Sequence, residues 1–274
     1  MAQFGHELLN FTIFLPSTGS ILGDGKSRHM EGRSMNTRVV ISASERKKGV
    51  TARKRPMKPS EWHPEIGDIV PDFSAQATFG PLQFHEWSRG SWVYFCSHPA
   101  AFTPICTTEM VSLAKHQAEF DRRGIKVLAL SADTAEDQWR WMQEMESTFG
   151  THFSFPLVAD PELSLSKRFG MYHRKESSER PIRRSFFIDP TLRLRMMFDY
   201  PMNIGRKTDE VLRVFDALIA ADRLELGTPA DWEDGEPYVV LPDETDEHAT
   251  QRLHTRLARL MSYLRLVSPG KNAA

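Results

Sequence analysis

The chain has 274 residues, 40% hydrophobic and 26% charged, which suits one large or two small globular domains able to bury a core without cross-links. Its apolar run Trp92 to Cys96 is far shorter than the roughly 20 residues needed to cross a bilayer, so no stable membrane insertion is expected. Its two cysteines, Cys96 and Cys106, make neither a disulfide framework nor a zinc-ligand pattern.

The formal net charge of −1 hides an asymmetry: residues 1–60 carry 11 Lys+Arg against 4 acids, leaving 24 basic against 32 acidic residues for the rest. Residues 1–62 therefore read as a basic arm, Gly-, Ser- and Arg-containing and without hydrophobic periodicity, a composition expected to be disordered. A secretory signal is a poor match, because no Lys or Arg precedes Leu8 to Leu15. A solvated arm on a cytoplasmic protein is the preferred reading. A mitochondrial transit segment is one alternative, against which the arm's acids count. The runs Arg46-Lys47-Lys48 and Arg53-Lys54-Arg55 would suit a nuclear signal or a nucleic-acid patch, although nucleic acid is not the expected partner.

Order is expected from near Ile66, with Gly67 to Phe73 extended. The aromatic and apolar stretch Ser91 to Ser97 predicts a buried strand. Thr107 to Arg122 predicts a helix, Lys126 to Ser131 a strand, and Ala135 to Phe149 a helix with Trp139, Met142 and Met145 on one side. A short helix over Pro161 to Phe169 follows. Ser185 to Ile188 and Leu192 to Phe198 predict two strands about the turn Asp189-Pro190-Thr191, and Asp209 to Leu224 a helix. Strands alternating with helices and ending in a strand pair indicate an α/β sheet covered by helices, over residues 63–226. A smaller module over 227–274 is expected to hold a strand at Tyr238 to Leu241. A helix from Glu247 to about Met261 should follow, with Leu253, Leu257 and Leu260 on one face and Arg252, Arg256 and Arg259 on a solvated one.

The chemistry concentrates in Ser97-His98-Pro99-Ala100-Ala101-Phe102-Thr103-Pro104-Ile105-Cys106-Thr107-Thr108-Glu109. Here a strand ends, and a proline-punctuated loop leads into a helix whose first turn carries Cys106. Unpaired backbone N–H groups and the helix dipole favour a thiolate there, and the thiolate is the nucleophilic form. Thr103, three residues earlier, places a hydroxyl within reach of the sulfur or of a bound oxygen, and Pro99 and Pro104 restrict the loop.

The Pro-x-x-x-Thr-x-x-Cys spacing at a helix start resembles the signature of the peroxiredoxins. The resemblance extends through Arg183-Arg184-Ser185-Phe186-Phe187-Ile188-Asp189-Pro190, through Tyr200 to Arg206 and Thr228 to Gly235, and to Tyr263-Leu264-Arg265. These last stretches resemble the 1-Cys, peroxiredoxin-6-like branch, and the match runs from about Ile66 to Pro269. The resemblance implies a thioredoxin-like fold, a central mixed sheet flanked by helices, with a small C-terminal α+β dimerisation extension. It also implies reduction of hydrogen peroxide and organic hydroperoxides with no cofactor. The six-residue offset from Asp189 makes Arg183 the match to the family's active-site arginine, with Arg184 as the alternative facing the other side of its strand. His98 stands where the family has a histidine near the pocket, as a proton carrier or as a structural residue.

No cysteine follows Cys106, and Cys96 reads as a packed core thiol. The sulfenic acid of such an enzyme would then be reduced by an external thiol, glutathione or a thioredoxin-like protein, in a homodimer or higher homo-oligomer. A dithiol oxidoreductase would need a Cys-x-x-Cys and is rejected, while a peroxide sensor or chaperone would share the same cysteine. Some 1-Cys relatives also hydrolyse phospholipids. Ser91 and His85 match two positions of that Ser/His/Asp set, but Thr191 occupies the third, with Asp189 the nearest acid. Arg89 and Val93 stand where glycines flank the serine, so hydrolysis is not expected.

Overall fold

The hydrophobic pattern resolves into a mixed sheet with helices on both faces and a small antiparallel sheet after it. The computed structural model describes residues 62–253 and 257–269, all within one unit, Lys54–Ala274; the basic arm up to residue 61 lies outside the described residues. In chain order the elements are β1 (Ser74–Ala77), β2 (Gly80–Gln83), α1 (Phe84–Ser88), β3 (Trp92–Ser97), α2 (Pro104–Lys115) and α3 (Gln117–Arg122). Next come β4 (Ile125–Ser131), α4 (Ala135–Phe149), β5 (Leu157–Ala159), α5 (Ser164–Arg168), β6 (Arg183–Ile188), β7 (Leu194–Tyr200) and α6 (Thr208–Leu224). The C-terminal module adds β8 (Tyr238–Val239), α7 (Asp246–Leu253), β9 (Leu257–Arg259) and β10 (Arg265–Val267).

The main sheet has seven strands in the order β2-β1-β5-β4-β3-β6-β7. β3, β4 and β5 run parallel, while β6 is antiparallel to β3 and β7 antiparallel to β6. β3 lies between β4 and β6, and all but the first of its residues are buried, which explains its nearly continuous apolar run. Side-chain alternation divides the core by face. Tyr94, Cys96, Val127, Ala129 and Phe187 face one side with Met110 and Leu113 of α2, Trp141 and Met145 of α4, and Phe215 of α6. Val93, Phe95, Leu128, Leu130 and Phe186 face the other, with Phe73, Phe84 and Phe169. Phe73 stacks on Phe84 with ring centroids 4.9 Å apart, within the favourable range for aromatic pairs.

Several expected elements differ in detail. The helix expected over Thr107 to Arg122 begins at Pro104, whose fixed φ and missing N–H suit a first helical turn, and breaks at His116 into α2 and α3. α4 spans the expected range, but Trp139 is largely exposed and Trp141 is buried. The packed face runs Gln138, Trp141, Met142, Met145, the true helical spacing. β1, β2 and β5 are too short to leave a periodic signal, and β7 starts at Leu194 rather than Leu192, which has a positive φ. The helix expected from Glu247 to Met261 ends at Leu253. Leu257 and Arg259 lie in β9, and Leu260 is exposed at the turn into β10, so the Leu253–Leu257–Leu260 face does not exist as a helix face. The side chains of Arg252 and Arg256 lie outside the described residues. β10 pairs with both β8 and β9, and the module packs Trp232, Tyr238, Val240, Ala249 and Val267 on Ala220 and Leu224 at the end of α6.

Candidate active site

The site is built where the parallel strand β3 delivers the chain to the N-terminus of α2. Thr103 is the residue before Pro104, and its extended backbone (φ −117°, ψ 144°) is the conformation that a following proline enforces. Its hydroxyl does not cap the helix but donates to the Ala100 carbonyl at 2.8 Å, closing the loop on itself. Cys106 is therefore the third residue of α2, among the backbone N–H groups that have no helical partner. Phe102 adopts φ 54°, a left-handed conformation that costs a non-glycine residue on the order of 1–3 kcal/mol and must be held by its surroundings.

Cys106 is fully buried in the core on the face of the sheet that carries α2 and forms no disulfide. The strongest influence on its thiol is burial, which raises the pKa. The neighbouring His98 imidazole, the Ala100 backbone N–H and the Thr103 hydroxyl together more than reverse this, and the net value is lowered to about 6. His98 is itself fully buried, and neither ring nitrogen has a partner in hydrogen-bond geometry among the described residues. Its ring lies against Trp141, centroids 5.4 Å apart, and Pro99 beside it is buried.

Arg183 arrives from β6, and its Nη1 donates to Cys106 Sγ at 3.3 Å. The same nitrogen donates to Glu109 Oε2 at 2.6 Å, while Nε and Nη2 donate to the Met202 carbonyl at 3.0 and 2.7 Å. Strand alternation sends the adjacent Arg184 to the other face, where it pairs with Asp199. Glu109 also receives Arg206, from its backbone N–H and Nε at 2.8 Å and from Nη2 at 3.0 Å. Burial pushes the Glu109 carboxyl up, but Arg206 and then Arg183 more than reverse that, and its pKa is lowered. The Arg183, Arg206 and Glu109 side chains are 3, 5 and 4% exposed, so one carboxylate between two guanidiniums fixes the arginine that faces the sulfur.

Sequence reasoning passed over Glu109 and Arg206 as parts of the site, although both stand in the motif stretches quoted above. The available signal was the three-residue step from Cys106 to Glu109, which places both side chains on one helix face. Cys96 lies on β3 with its pKa raised to about 11, first by burial and against the pull of the Arg206 charge.

The residues weighed for hydrolysis do not assemble. The His85 ring bonds the Val70 carbonyl through Nε2 at 2.8 Å and lies 4.0 Å from Asp72 through Nδ1. Asp189 Oδ1 is occupied by the Thr191 N–H and hydroxyl and the Arg193 N–H, and Oδ2 faces Arg195. Among the described residues no hydrogen bond joins Ser91 to His85 or His85 to Asp189.

Residues 66–197 match the family model of the AhpC/TSA family. A 1-Cys peroxiredoxin of Dictyostelium discoideum is 38% identical over 207 residues, covering 76% of this chain and 86% of that protein. The chain belongs to the peroxiredoxin family. A peroxiredoxin of Aquifex aeolicus is 40% identical over 200 residues, covering 69% and 90% of the two chains. Among solved structures, a cysteine-to-serine variant of peroxiredoxin 6 from Arenicola marina superposes with a TM-score of 0.70. It shares 31% identity, over 77% of this chain and all of that one. A yeast mitochondrial 1-Cys peroxiredoxin, solved to explain thiol resolution via glutathione and thioredoxin systems, gives the same score and identity over 75% of this chain. The fold is thus the thioredoxin-like fold of peroxiredoxins.

Proposed function

We propose that Cys106 is the peroxidatic nucleophile of a thiol-dependent peroxidase, with Thr103 and Arg183 as its catalytic partners. The observation that carries this reading is the buried guanidinium of Arg183 at 3.3 Å from a sulfur whose pKa is lowered to about 6. The Cys106 thiolate attacks the near oxygen of a hydroperoxide, the S–O bond forms as the O–O bond breaks, and the alkoxide or hydroxide leaves with the electron pair. The sulfur, oxidised by two electrons, becomes a sulfenic acid, and the leaving oxygen takes a proton to give alcohol or water. Arg183 stays charged through the reaction and offers its donors to the peroxide oxygens, while the Thr103 hydroxyl and the Cys106 N–H orient the pair. We further propose that His98, buried and with neither ring nitrogen hydrogen-bonded among the described residues, supplies the leaving group's proton.

Recycling falls to an external thiol. Cys96 is buried and its pKa is raised to about 11, so little of it is thiolate at neutral pH. Two thiols then act in turn: the first forms a mixed disulfide with the sulfenic acid and releases water, and the second displaces the Cys106 thiolate. Glutathione or a thioredoxin-like protein fits this role, as in the yeast relative. We further propose a homodimer or higher homo-oligomer, supported by β7, an edge strand of the main sheet whose outer side, among the described residues, is covered by the 67–68 segment only at Leu194.

The test is peroxide turnover with glutathione and with a thioredoxin system as reductants. Sustained consumption that disappears in Cys106→Ser and persists in Cys96→Ser supports the reading. Turnover surviving Cys106→Ser overturns it. A single stoichiometric oxidation with no turnover under either reductant would favour a peroxide sensor.

A further inference from the structure

The loop over residues 98–103 carries the groups that face the sulfur, yet it contains a strained residue and few anchors. Its beginning is tied by the His98 N–H to the Leu130 carbonyl at 2.9 Å, and its end runs into α2 through the Thr107 N–H to the Thr103 carbonyl at 2.9 Å. Between them, one hydrogen bond among the described residues joins 99–103 to an element other than α2. It is the Ala101 N–H to Asp133 Oδ2, at 2.7 Å. Asp133 is well supported. The same oxygen accepts the hydroxyl of the buried Ser131 at 2.6 Å, at the end of β4, and the next residue, Thr134, caps α4 by accepting the Asp137 N–H at 3.1 Å.

We propose that Asp133 is a positioning residue for the reaction: its carboxylate clamps the 98–103 loop to the end of β4, fixing the Ala100–Thr103 turn, closed by the Thr103 hydroxyl on the Ala100 carbonyl, beside Cys106. The clamp sits immediately beside Phe102, whose left-handed backbone needs an external hold. Without the Ala101 bond the loop would relax away from φ 54°, and the Ala100 and Thr103 groups on either side of Phe102 would turn with it. The proposal rests on Cys106 as the nucleophile.

Charge and geometry predict opposite signs here, so the experiment separates them. The charged and titratable groups around the sulfur are His98 from the end of β3, Glu109 from α2, Arg183 from β6, Arg206 through Glu109, and Asp133 itself at the β4–α4 turn. Removing the Asp133 charge alone would ease thiolate formation and lower the Cys106 midpoint. Releasing the loop would raise it, because the Ala100 and Thr103 groups that favour the thiolate would be displaced from it.

The measurement is the pH profile of Cys106 alkylation by iodoacetamide in the full chain, for wild type, Asp133→Asn, Asp133→Ala and Ser131→Ala. Asp133→Ala should raise the midpoint by about one unit, slowing alkylation at about pH 6 roughly fivefold. Asp133→Asn, which keeps an acceptor for the Ala101 N–H, should stay at or below the wild-type midpoint. An Asp133→Ala midpoint at or below wild type, or the two variants moving together, overturns the proposal. Should Asp133→Ala fail to fold, Ser131→Ala decides. It removes the hydroxyl that donates to the carboxylate from β4 and should raise the midpoint by a smaller amount, and no rise overturns the clamp. Alkylation needs no peroxide, so a failure of the peroxidase reading would show as an absence of peroxide oxidation, separately from these profiles.

Discussion

Arg183→Ala removes the guanidinium that faces the sulfur. In the structure Arg183 Nη1 is 3.3 Å from Cys106 Sγ, and two further nitrogens hold it to the Met202 carbonyl, so the donor is aimed before any peroxide binds. A hydrogen bond to a charged partner contributes about 1.5–3 kcal/mol. If that interaction is expressed in the transition state, where charge spreads onto the peroxide oxygens, the loss corresponds to about 10- to 150-fold in the rate of sulfenate formation. The assay is stopped-flow oxidation by hydrogen peroxide, followed by the fluorescence of tryptophans including Trp141, which packs on His98. It should be run at about pH 8, where the wild-type thiol is almost fully ionised, so that a modest pKa change does not masquerade as a slower reaction. Arg183→Lys should fall between, since an ammonium keeps the charge but cannot serve Cys106, Glu109 and Met202 together. A wild-type rate for Arg183→Ala at that pH would refute the role, whatever the variant's stability.

Glu109→Gln should destabilise the fold by about 3–5 kcal/mol, because it leaves the buried Arg183 and Arg206 without a counter-charge. Thermal unfolding at neutral pH reads this as a fall on the order of 6–20 °C. Glu109 titrates below its ordinary value, so its contribution is complete above the usual carboxylate range and is lost as pH falls through the depressed folded value. The gap between wild type and variant should therefore close in acid, and a gap independent of pH would contradict the ion-pair account. Alkylation of Cys106 should follow a thiolate titration with its midpoint at about 6, whereas a midpoint near that of a free thiol would remove the electrostatic basis of the site. Phosphatidylcholine vesicles should show lipid release at background for both wild type and Ser91→Ala, since Asp189 is engaged by its own turn and by Arg195. A wild-type signal lost in Ser91→Ala would show a triad the structure does not assemble.

How much of this could be read in the sequence depends on how local each signal is. Cys106 at the start of a helix was legible because Pro104, Thr103 and the preceding apolar strand sit within a few residues of it. Arg183 was legible through its offset from the Asp189 turn, and the face it occupies follows from the two-residue period of β6. What was not legible is long-range. Glu109 joins Arg206 across 97 residues, and Asp133 reaches Ala101 across 32, pairings that no periodicity encodes. The split at His116 and the early end of α7 were missed for a different reason. Both stretches keep a helical spacing of apolar residues, but the chain turns to pack its second half elsewhere, as Leu257 does in β9.

The most direct test of the account is the fate of the two cysteines after one equivalent of hydrogen peroxide, trapped with a sulfenate-specific reagent and mapped by peptide mass spectrometry. The account predicts the adduct on the Cys106 peptide with Cys96 still reduced, and conversion of Cys106 to sulfinate when peroxide is in excess, because no internal thiol intercepts it. A Cys96–Cys106 disulfide as the main product, or oxidation that bypasses Cys106, would contradict it.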